Sequence, residues 1–302
     1  MARHSRYTSI TVIYNPHSTG PGKRLAQHFK QRLEEKSKKS HPYKVTIIAT
    51  KRSGHAEELA YSLSLDSKQP LIISSSGDGG YHEVVNGALR AQLAGAKPTI
   101  GLLPAGNAND HFHSLHAGDD LVDAILKGKT YAVDALKLTA VSDGQPYARY
   151  AHSYIGIGLT PHVGKELNRH QLNRLTEMWL TLKVFMALRP VHLVVHDRPA
   201  TFYSLIFSNV RRLGKFLTIS QIADASDGKF EVTTFAHGTK RHLFGHFLSG
   251  LLRGFKNSEQ TDRFTFETTR RTLIQLDGEV VRLDGRTVAT ISIEQRLIRC
   301  IV

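Results

Sequence analysis

The chain has 302 residues, a formal net charge of +14, and 40% hydrophobic and 22% charged residues. This composition excludes a disordered chain or a fibre, and the length predicts two domains that can each bury a core. Cys300 is the only cysteine, which excludes an internal disulfide and a cysteine-based metal cluster, while the positive charge favours polyanionic partners.

The first half of the chain alternates predicted strands and helices. The β-branched run over 8–14 predicts a buried strand, and Leu25, Phe29 and Leu33 at helical spacing predict a helix over 23–36. The same alternation continues with strands over 44–50, 71–74 and 99–103 and with helices over 56–65 and 81–93. This pattern predicts an α/β domain in which helices cover both faces of a parallel sheet.

The pattern changes after about residue 131, where short strand candidates replace the alternation. Strands are predicted over 132–141, 147–157, 191–196, 200–209, 216–222, 229–235, 264–267, 272–276 and 288–293, with a helical pair over 161–188. Short strands joined by regular turns predict a mainly antiparallel β-sandwich. We therefore divide the chain into residues 1–130 and 131–302, with about the last ten residues packing back on the first domain.

Glycine-rich or turn-rich segments follow three strands of the predicted parallel sheet. They cover residues 15–23, 74–87 and 103–110. Small residues let backbone N–H groups approach phosphate oxygens, and a following helix offers its positive end. The carboxyl ends of parallel strands meet at one edge of the sheet, so these segments predict a nucleotide site there. Taken singly, each segment is also compatible with an ordinary tight turn. Neither a Walker loop nor a dinucleotide fingerprint is present.

These segments, with a fourth at 277–279, carry a resemblance. Ser76-Gly77-Asp78-Gly79-Gly80, Glu83-Val84 and Asn86-Gly87 correspond to a Gly-Gly-Asp-Gly-Thr…Glu-Val…Asn-Gly motif, and residues 104–110 to Pro-x-Gly-Thr-x-Asn-Asp. Asn15-Pro16 and Asp277-Gly278-Glu279 match an opening Asn-Pro and a late Asp-Gly-Glu. In order and spacing, the chain resembles the diacylglycerol kinase catalytic-domain family, which includes bacterial lipid kinases and the sphingosine and ceramide kinases.

The resemblance implies an ATP-dependent lipid kinase with an NAD-kinase/diacylglycerol-kinase-like first domain that binds nucleotide and a second domain that binds lipid. The acceptor would be a diacylglycerol-like or sphingoid lipid, and the cofactors would be ATP and Mg²⁺. The residues expected to contact the nucleotide are Asn15, Pro16, His17, Ser18, Thr19, Thr50, Ser76, Gly77, Asp78, Gly79, Gly80, Tyr81, His82, Glu83, Gly106, Asn107, Asn109 and Asp110.

Catalytic and metal-binding roles follow from the same resemblance. Asp277 corresponds to the general base that takes the proton of the lipid hydroxyl, and Glu279 and Asp78 would help to place the catalytic Mg²⁺. The alternative for Asp277 and Gly278 is a plain hairpin turn, because Asp-Gly is a favoured two-residue turn. Asp134 matches another acidic residue of the family near the domain junction.

A further acidic pair resembles a structural Mg²⁺ loop of the family. Asp224 and Asp227, with the backbone carbonyl of Lys229, would supply the oxygen ligands that hard cations prefer. An Asx-type surface turn is the alternative interpretation of the same residues. His111, His113 and His116 lie close together after the third segment. A zinc site there would need ligand spacing supported by second-shell carboxylates, and we favour solvated or phosphate-proximal histidines as the interpretation.

Three positions depart from the family pattern. Gly80 and Asn107 replace the family threonines, and Ser76 replaces a leading glycine. Losing two hydroxyls removes two expected phosphate hydrogen bonds, each worth about 0.5–1.5 kcal/mol and up to about 3 kcal/mol when charge-assisted. This motivates an alternative hypothesis, a nucleotide- or lipid-binding pseudokinase with little or no turnover. A third hypothesis, a basic nucleic-acid-binding protein, has only the net charge behind it.

The predicted partner is a lipid substrate at an anionic membrane surface. No segment is apolar over the length of a membrane span, so we expect a cytoplasmic protein with peripheral membrane association; a homodimer is possible and nucleic acid is not expected. An apolar helical face with basic flanks could contact lipid or pack on the sandwich. That face consists of Leu172, Leu175, Trp179, Leu182 and Met186.

Overall fold

A computed structural model describes most of the chain. The described residues are 7–18, 20–37, 43–106, 109–115, 120–142, 144–162, 183, 189–213, 217–218, 224–236 and 258–301. The chain forms two units, of which the first comprises Met1–Val133 together with Arg296–Val302 and the second comprises Asp134–Gln295. The first unit is therefore discontinuous in sequence.

The first unit is built on a parallel sheet. Its strands are β1 (Ser9–Tyr14), β2 (Val45–Ala49), β3 (Pro70–Ser76) and β4 (Thr99–Pro104). Its helices are α1 (Gly22–Ser37), α2 (His55–Leu65), α3 (Asp78–Leu93), α4 (Asp110–Leu115) and α5 (Leu121–Lys127). The strand order is β2-β1-β3-β4, all parallel. Beyond β4, Cys300 pairs in parallel with Ile100.

The apolar periodicity of the sequence explains how these elements pack. Phe29 and Leu33 of α1 are buried with Val12 of β1 and Ile73 of β3, and Ile125 of α5 belongs to the same cluster. Strand β3 is buried along its whole length, as expected for a central strand of a covered parallel sheet. Three polar residues, Ser74, Ser75 and Ser76, end this strand, which brings hydroxyl groups to the carboxyl edge of the sheet.

The second unit consists mainly of antiparallel strands. They are β5 (Thr130–Ser142, which begins in the first unit), β6 (Gln145–Ala151), β7 (Tyr154–Ile157), β8 (Val191–Val195), β9 (Arg198–Ser208), β10 (Arg212–Leu213), β11 (Leu217–Thr218), β12 (Phe230–Ala236), β13 (Ser258–Thr261), β14 (Arg263–Thr268), β15 (Thr272–Leu276), β16 (Glu279–Leu283) and β17 (Val288–Ile301, which ends in the first unit). Phe207, Phe230 and Phe266 are fully buried in its core, and Phe207 and Phe230 pack edge to face.

The predicted fold class, an α/β domain followed by a mainly antiparallel one, is confirmed. Some boundaries differ. Helix α3 begins at Asp78 rather than at residue 81, and the strand predicted over 147–157 is interrupted at His152 and Ser153. Strand β17 runs eight residues past the predicted end at 293, because its last residues pair within the first unit. Elements α4, α5, β10, β13 and β16 were not predicted.

Most of the predicted helical pair over 161–188 lies outside the described residues, as does the apolar face from Leu172 to Met186. Among the helices that are described, none has the length and apolar character that a membrane crossing requires.

Candidate functional site

A cavity of about 390 Å³ lies at the carboxyl ends of β1, β2 and β3 in the first unit. Tyr14 and Thr50 contribute from the ends of β1 and β2, and Ser76 from the end of β3. This is the edge at which open α/β sheets bind their ligands. The volume falls within the range of about 300–1,000 Å³ that small-molecule sites occupy.

The cavity brings together many of the residues predicted to contact a nucleotide. Those that line it are Asn15, His17, Thr50, Ser76, Gly79, Gly80 and Glu83. Sequence reasoning missed Lys51, Arg52 and Ser53, which also line it. Their signal was their position directly after Thr50, at the strand end. Nη2 of Arg52 donates to both carboxylate oxygens of Glu58 at 2.8 Å.

Glu83 positions one wall of the cavity through hydrogen bonds. Its carboxylate oxygens accept the backbone N–H groups of Gly54 at 2.9 Å and Ala56 at 3.1 Å. These groups are at the start of α2, where N–H groups lack intrahelical acceptors. The Glu83 side chain on α3 therefore caps α2 and fixes the turn between Thr50 and α2. Its role in this structure is to shape the site.

The segment after β1 packs closely on the segment after β4. Asn15 accepts the N–H of His17 through its side-chain oxygen at 2.8 Å, which closes the first turn. A Cβ atom on Gly20 would overlap the carbonyl oxygen of Ala105, so only glycine fits there. Pro16 lies on the other side of this segment, where it lines a second cavity of about 400 Å³ that Asn15 also borders. Ser18 donates to the carbonyl of Gly20 at 3.2 Å.

Gly77 and Gly106 hold two of the predicted phosphate segments against each other. A Cβ atom on Gly106 would overlap Cα of Gly77, and one on Gly77 would lie 2.9 Å from Cα of Gly106. Asp78 strengthens the contact, because its Oδ2 accepts the N–H of Asn109 at 2.8 Å. Asn109 has a positive φ of 54°. Its side-chain oxygen accepts the N–H of Gly106 at 3.1 Å, and its side-chain N–H₂ donates to the Gly106 carbonyl at 3.0 Å. These glycines thus permit segment-to-segment packing, and Asp110 begins α4 immediately afterwards.

Tyr81 and His82 point into the protein interior, since each is 1% exposed. The Tyr81 hydroxyl lies 3.4 Å from Nε2 of His111 and 3.5 Å from Sγ of Cys300. His82 lies beside Asn86, whose amide donates to the His82 carbonyl. Both residues belong to the predicted nucleotide set, but neither lines the cavity. They secure α3 behind it.

Burial raises the pKa of the Cys300 thiol to about 12, against a smaller opposing effect of the Tyr81 hydroxyl. At about pH 8, roughly one molecule in ten thousand would carry the reactive thiolate. We therefore expect native protein to react with Ellman's reagent only very slowly, and to release one equivalent of chromophore once guanidinium unfolds it. Fast labelling of the folded protein would contradict the described position of the C-terminal strand.

Asp277 occupies the tight turn between β15 and β16 in the second unit. Asp277 and Gly278 both have positive φ, at 51° and 118°, as a two-residue hairpin turn requires. The carboxylate is 1% exposed. It accepts the backbone N–H groups of His152 at 2.7 Å, Ser153 at 2.9 Å and Tyr154 at 3.0 Å. The predicted general base thus holds the segment between β6 and β7 in place.

The residues predicted for the catalytic Mg²⁺ each have protein partners in their own unit. Glu279 pairs with Arg149 at 3.4 Å, and Asp78 binds the N–H of Asn109. Within the described parts of the chain, no three His, Cys, Asp or Glu side chains are grouped closely enough to hold a metal ion. Mg²⁺ in phosphoryl-transfer sites is commonly held by one or two carboxylates with substrate phosphates. Within the first unit, the Asp78 carboxylate fits that scheme as a single protein ligand beside substrate phosphates.

The acidic loop over 224–229 is attached to Asp134. Asp134 is fully buried, and its carboxylate accepts the N–H of Gly228 at 2.7 Å. Asp224 and Asp227 accept the N–H groups of Ser226 and Lys229, two residues further along the chain in each case. This is Asx-turn geometry. The predicted structural Mg²⁺ site at these residues stays a prediction.

Thr19 and Asn107 of the predicted nucleotide set, and His116, lie outside the described residues. The site therefore rests on the segments at 15–18, 50–56 and 74–83, with the described part of 104–110 packed behind them.

Comparisons with known proteins show what the first part of the chain is similar to. Residues 9–138 match the family model described as "Diacylglycerol kinase catalytic domain". A protein named diacylglycerol kinase from Staphylococcus epidermidis is 35% identical over 132 residues, and the aligned region covers 42% of this chain and 39% of the relative. One with the same name from Staphylococcus carnosus is 31% identical over 132 residues, covering 43% of this chain and 40% of the relative. The matches thus span about two fifths of these relatives' own length.

The fold has a solved counterpart over nearly the whole chain. The crystal structure of a diacylglycerol kinase from Bacillus anthracis superposes with a TM-score of 0.69 at 16% identity, covering 98% of this chain and 97% of that one. At that identity the similarity establishes the fold. The sequence match adds to this for the α/β part: residues 9–138 are similar in sequence to the diacylglycerol kinase catalytic-domain family.

Proposed function

We propose that the protein is an ATP-dependent lipid kinase, which transfers the γ-phosphate to the hydroxyl of a diacylglycerol-like or sphingoid lipid at an anionic membrane surface. The cavity at the ends of β1, β2 and β3 carries this proposal. It lies in the part of the chain that matches the family, and it is lined by residues expected to bind the nucleotide. The net charge of +14 suits both a polyphosphate and an anionic surface.

The chemistry of the lining supports a nucleotide as the ligand. Lys51 and Arg52 bring positive charge to the cavity, and Gly79 leaves the first turn of α3 open to a close approach. The start of a helix favours negative charge because its N–H groups are unsatisfied. Asn15, Thr50 and Ser76 add polar groups that can select orientation.

In the proposed reaction, the lipid hydroxyl oxygen forms a bond to the γ-phosphorus while the bond to the β–γ bridging oxygen breaks. ADP leaves with that electron pair, and the hydroxyl proton passes to a carboxylate, for which Asp277 is the candidate. Mg²⁺, when bound, neutralises charge on the phosphates. The segments after β1, β2 and β3 hold the nucleotide and limit its motion, which is most of what phosphoryl transfer asks of a protein.

One observation favours a second candidate, a nucleotide-binding pseudokinase. The Asp277 carboxylate already accepts three backbone N–H groups and is buried. A general base must reach the proton within about 2.6–3.2 Å, so Asp277 can act only after this arrangement opens. Without such opening, the protein would bind ATP and leave the lipid unchanged.

Radiolabelled ATP and Mg²⁺ distinguish the two candidates. We expect labelled phosphate to appear in lipid when the protein is mixed with phosphatidylserine vesicles containing dioleoylglycerol or, separately, sphingosine, and to disappear when EDTA removes the metal. Asp277→Asn should lower the initial rate by about 10²–10⁴-fold, the usual contribution of a general base. Calorimetry with ATP, and an unfolding curve for each variant, should accompany every rate.

Asp197→Asn is the matched control for this assay. Asp197 is exposed, has a positive φ of 59° and lies in the turn between β8 and β9. The substitution makes the same chemical change as Asp277→Asn in a similar backbone conformation, and it should leave the rate of phosphate transfer unchanged. Bound ATP without labelled lipid on either vesicle would select the pseudokinase. Absence of ATP binding would overturn both candidates.

A further inference from the structure

Positions 76 and 80 share one space beside the cavity. A Cβ atom on Gly80 would lie 2.6 Å from Oγ and 2.7 Å from Cβ of Ser76, closer than real side chains approach. The crowding is specific to this pair, because a Cβ atom on the neighbouring Gly79 would meet nothing within 4 Å. One of the two positions can carry a side chain only if the other carries none.

The side chain of Ser76 occupies this space, and hydrogen bonds hold its hydroxyl in a defined position. Ser76 is 4% exposed and ends β3. Its Oγ lies 2.7 Å from Oγ of Ser74 and donates to the carbonyl of Gly77 at 3.0 Å. Ser74, Ser76 and Gly80 all line the cavity of about 390 Å³. The hydroxyl therefore lies at the wall where a ligand would contact the first turn of α3.

We propose that Ser76 is a nucleotide-binding residue that supplies the hydroxyl contact which position 80 lacks, and that Gly80 is required to make room for it. This inference deepens the proposed function and rests on it. The two departures from the family motif are then one exchange, in which the hydroxyl has moved from one side of a shared space to the other. The hydroxyl missing at position 80 is thereby replaced by that of Ser76, and Asn107 is a separate departure.

The hydroxyl can serve a bound phosphate without rearranging the backbone. A serine O–H rotates about its Cβ–Oγ bond, so it can turn from the Gly77 carbonyl towards an anion while Oγ still accepts from Ser74. Gly77, the second glycine of the motif, packs against Gly106 and does not enter the space between positions 76 and 80. Restoring a threonine at position 80 alone would drive its side chain into Ser76.

A double-mutant cycle tests the exchange, with the dissociation constant for ATP and Mg²⁺ measured by calorimetry. Ser76→Gly, the first single variant of the cycle, should weaken ATP binding by about tenfold to a hundredfold, the range of one charge-assisted hydrogen bond. Gly80→Thr should weaken it at least as much and lower the unfolding temperature. The double variant Ser76→Gly, Gly80→Thr should bind within about threefold of wild type, because the clash is gone and a hydroxyl is restored.

Control variants show whether a loss of ATP affinity comes from the space between positions 76 and 80 or from a general loss of stability. Ser64→Ala removes another buried hydroxyl of the first unit, one that donates to the Ala60 carbonyl away from the cavity, and should leave ATP affinity unchanged. Gly80→Ala gives a smaller version of the clash if Gly80→Thr does not fold. Tight ATP binding by Gly80→Thr, or a double variant as weak as the two single effects combined, would overturn the exchange alone. Wild-type protein that binds no ATP would overturn the proposed function with it.

Discussion

Replacing Asp277 by asparagine should destabilise the second unit by about 3 kcal/mol, because one backbone N–H would face an amide N–H₂ instead of a carboxylate oxygen. Asparagine tolerates the positive φ of this position, so backbone strain contributes little. The three N–H groups of residues 152–154 share two carboxylate oxygens, and an amide offers only one oxygen. We expect the unfolding temperature to fall by roughly 6–12 °C.

The exposed turn residue Asp197 provides the comparison for this loss of stability. Asp197→Asn makes the same change at an exposed side chain. We expect the unfolding temperature of this variant to stay within about 1 °C of wild type. Equal stability of the two variants would mean that the buried carboxylate does not hold the 152–154 segment. The Asp277 variant therefore has to be assayed well below its own transition before any loss of phosphate transfer is attributed to chemistry.

Replacing Gly87 by alanine should cost about 2 kcal/mol through overpacking between two helices. A Cβ atom at this position of α3 would overlap the carbonyl oxygen of Glu57 and lie 2.9 Å from Cβ of Ala60, both on α2. The helix backbones approach so closely that no rotation of a side chain can relieve the contact. Thermal denaturation followed by circular dichroism should show a fall of roughly 4–8 °C.

Gly79→Ala is the stability control for Gly87→Ala, since both glycines belong to α3. Nothing lies within 4 Å of a Cβ atom at position 79. Alanine is a better helix former than glycine by up to about 1 kcal/mol, so this variant should unfold at the wild-type temperature or slightly above it. A loss of stability at position 79 as large as that at position 87 would show that the helix contact is not the cause.

Local patterns were enough to predict most elements of the first unit. The β-branched run that ends at Tyr14 and the spacing of Phe29 and Leu33 correctly predicted β1 and α1. The start of α3 was predicted three residues too late, because Asp78, Gly79 and Gly80 resemble a loop by composition. The contact between Gly77 and Gly106 precedes this first turn, and because it joins residues distant in sequence it leaves no local signal.

Some features of the candidate site could likewise be predicted from the sequence, whereas others depend on tertiary packing. Motif order was sufficient to predict Asn15 and Ser76 as neighbours, because parallel strands end at one edge, and the family resemblance added Thr50. It did not predict that Glu83 caps α2, since a capping partner on another helix is set by tertiary packing. The Asp-Gly pair correctly indicated a hairpin turn at Asp277, but the N–H groups that surround its carboxylate come from residues more than 120 positions earlier in the chain.

The return of the last strand to the first unit has a consequence for how that unit can be isolated. Ile298 and Ile301 are buried, and Cys300 pairs with β4. A fragment that stops at residue 133 would leave the β4 edge bare and hydrophobic surface uncovered, which invites aggregation. An autonomous nucleotide-binding module would instead need the second unit excised and its flanking ends rejoined by a linker, as in undoing a domain insertion.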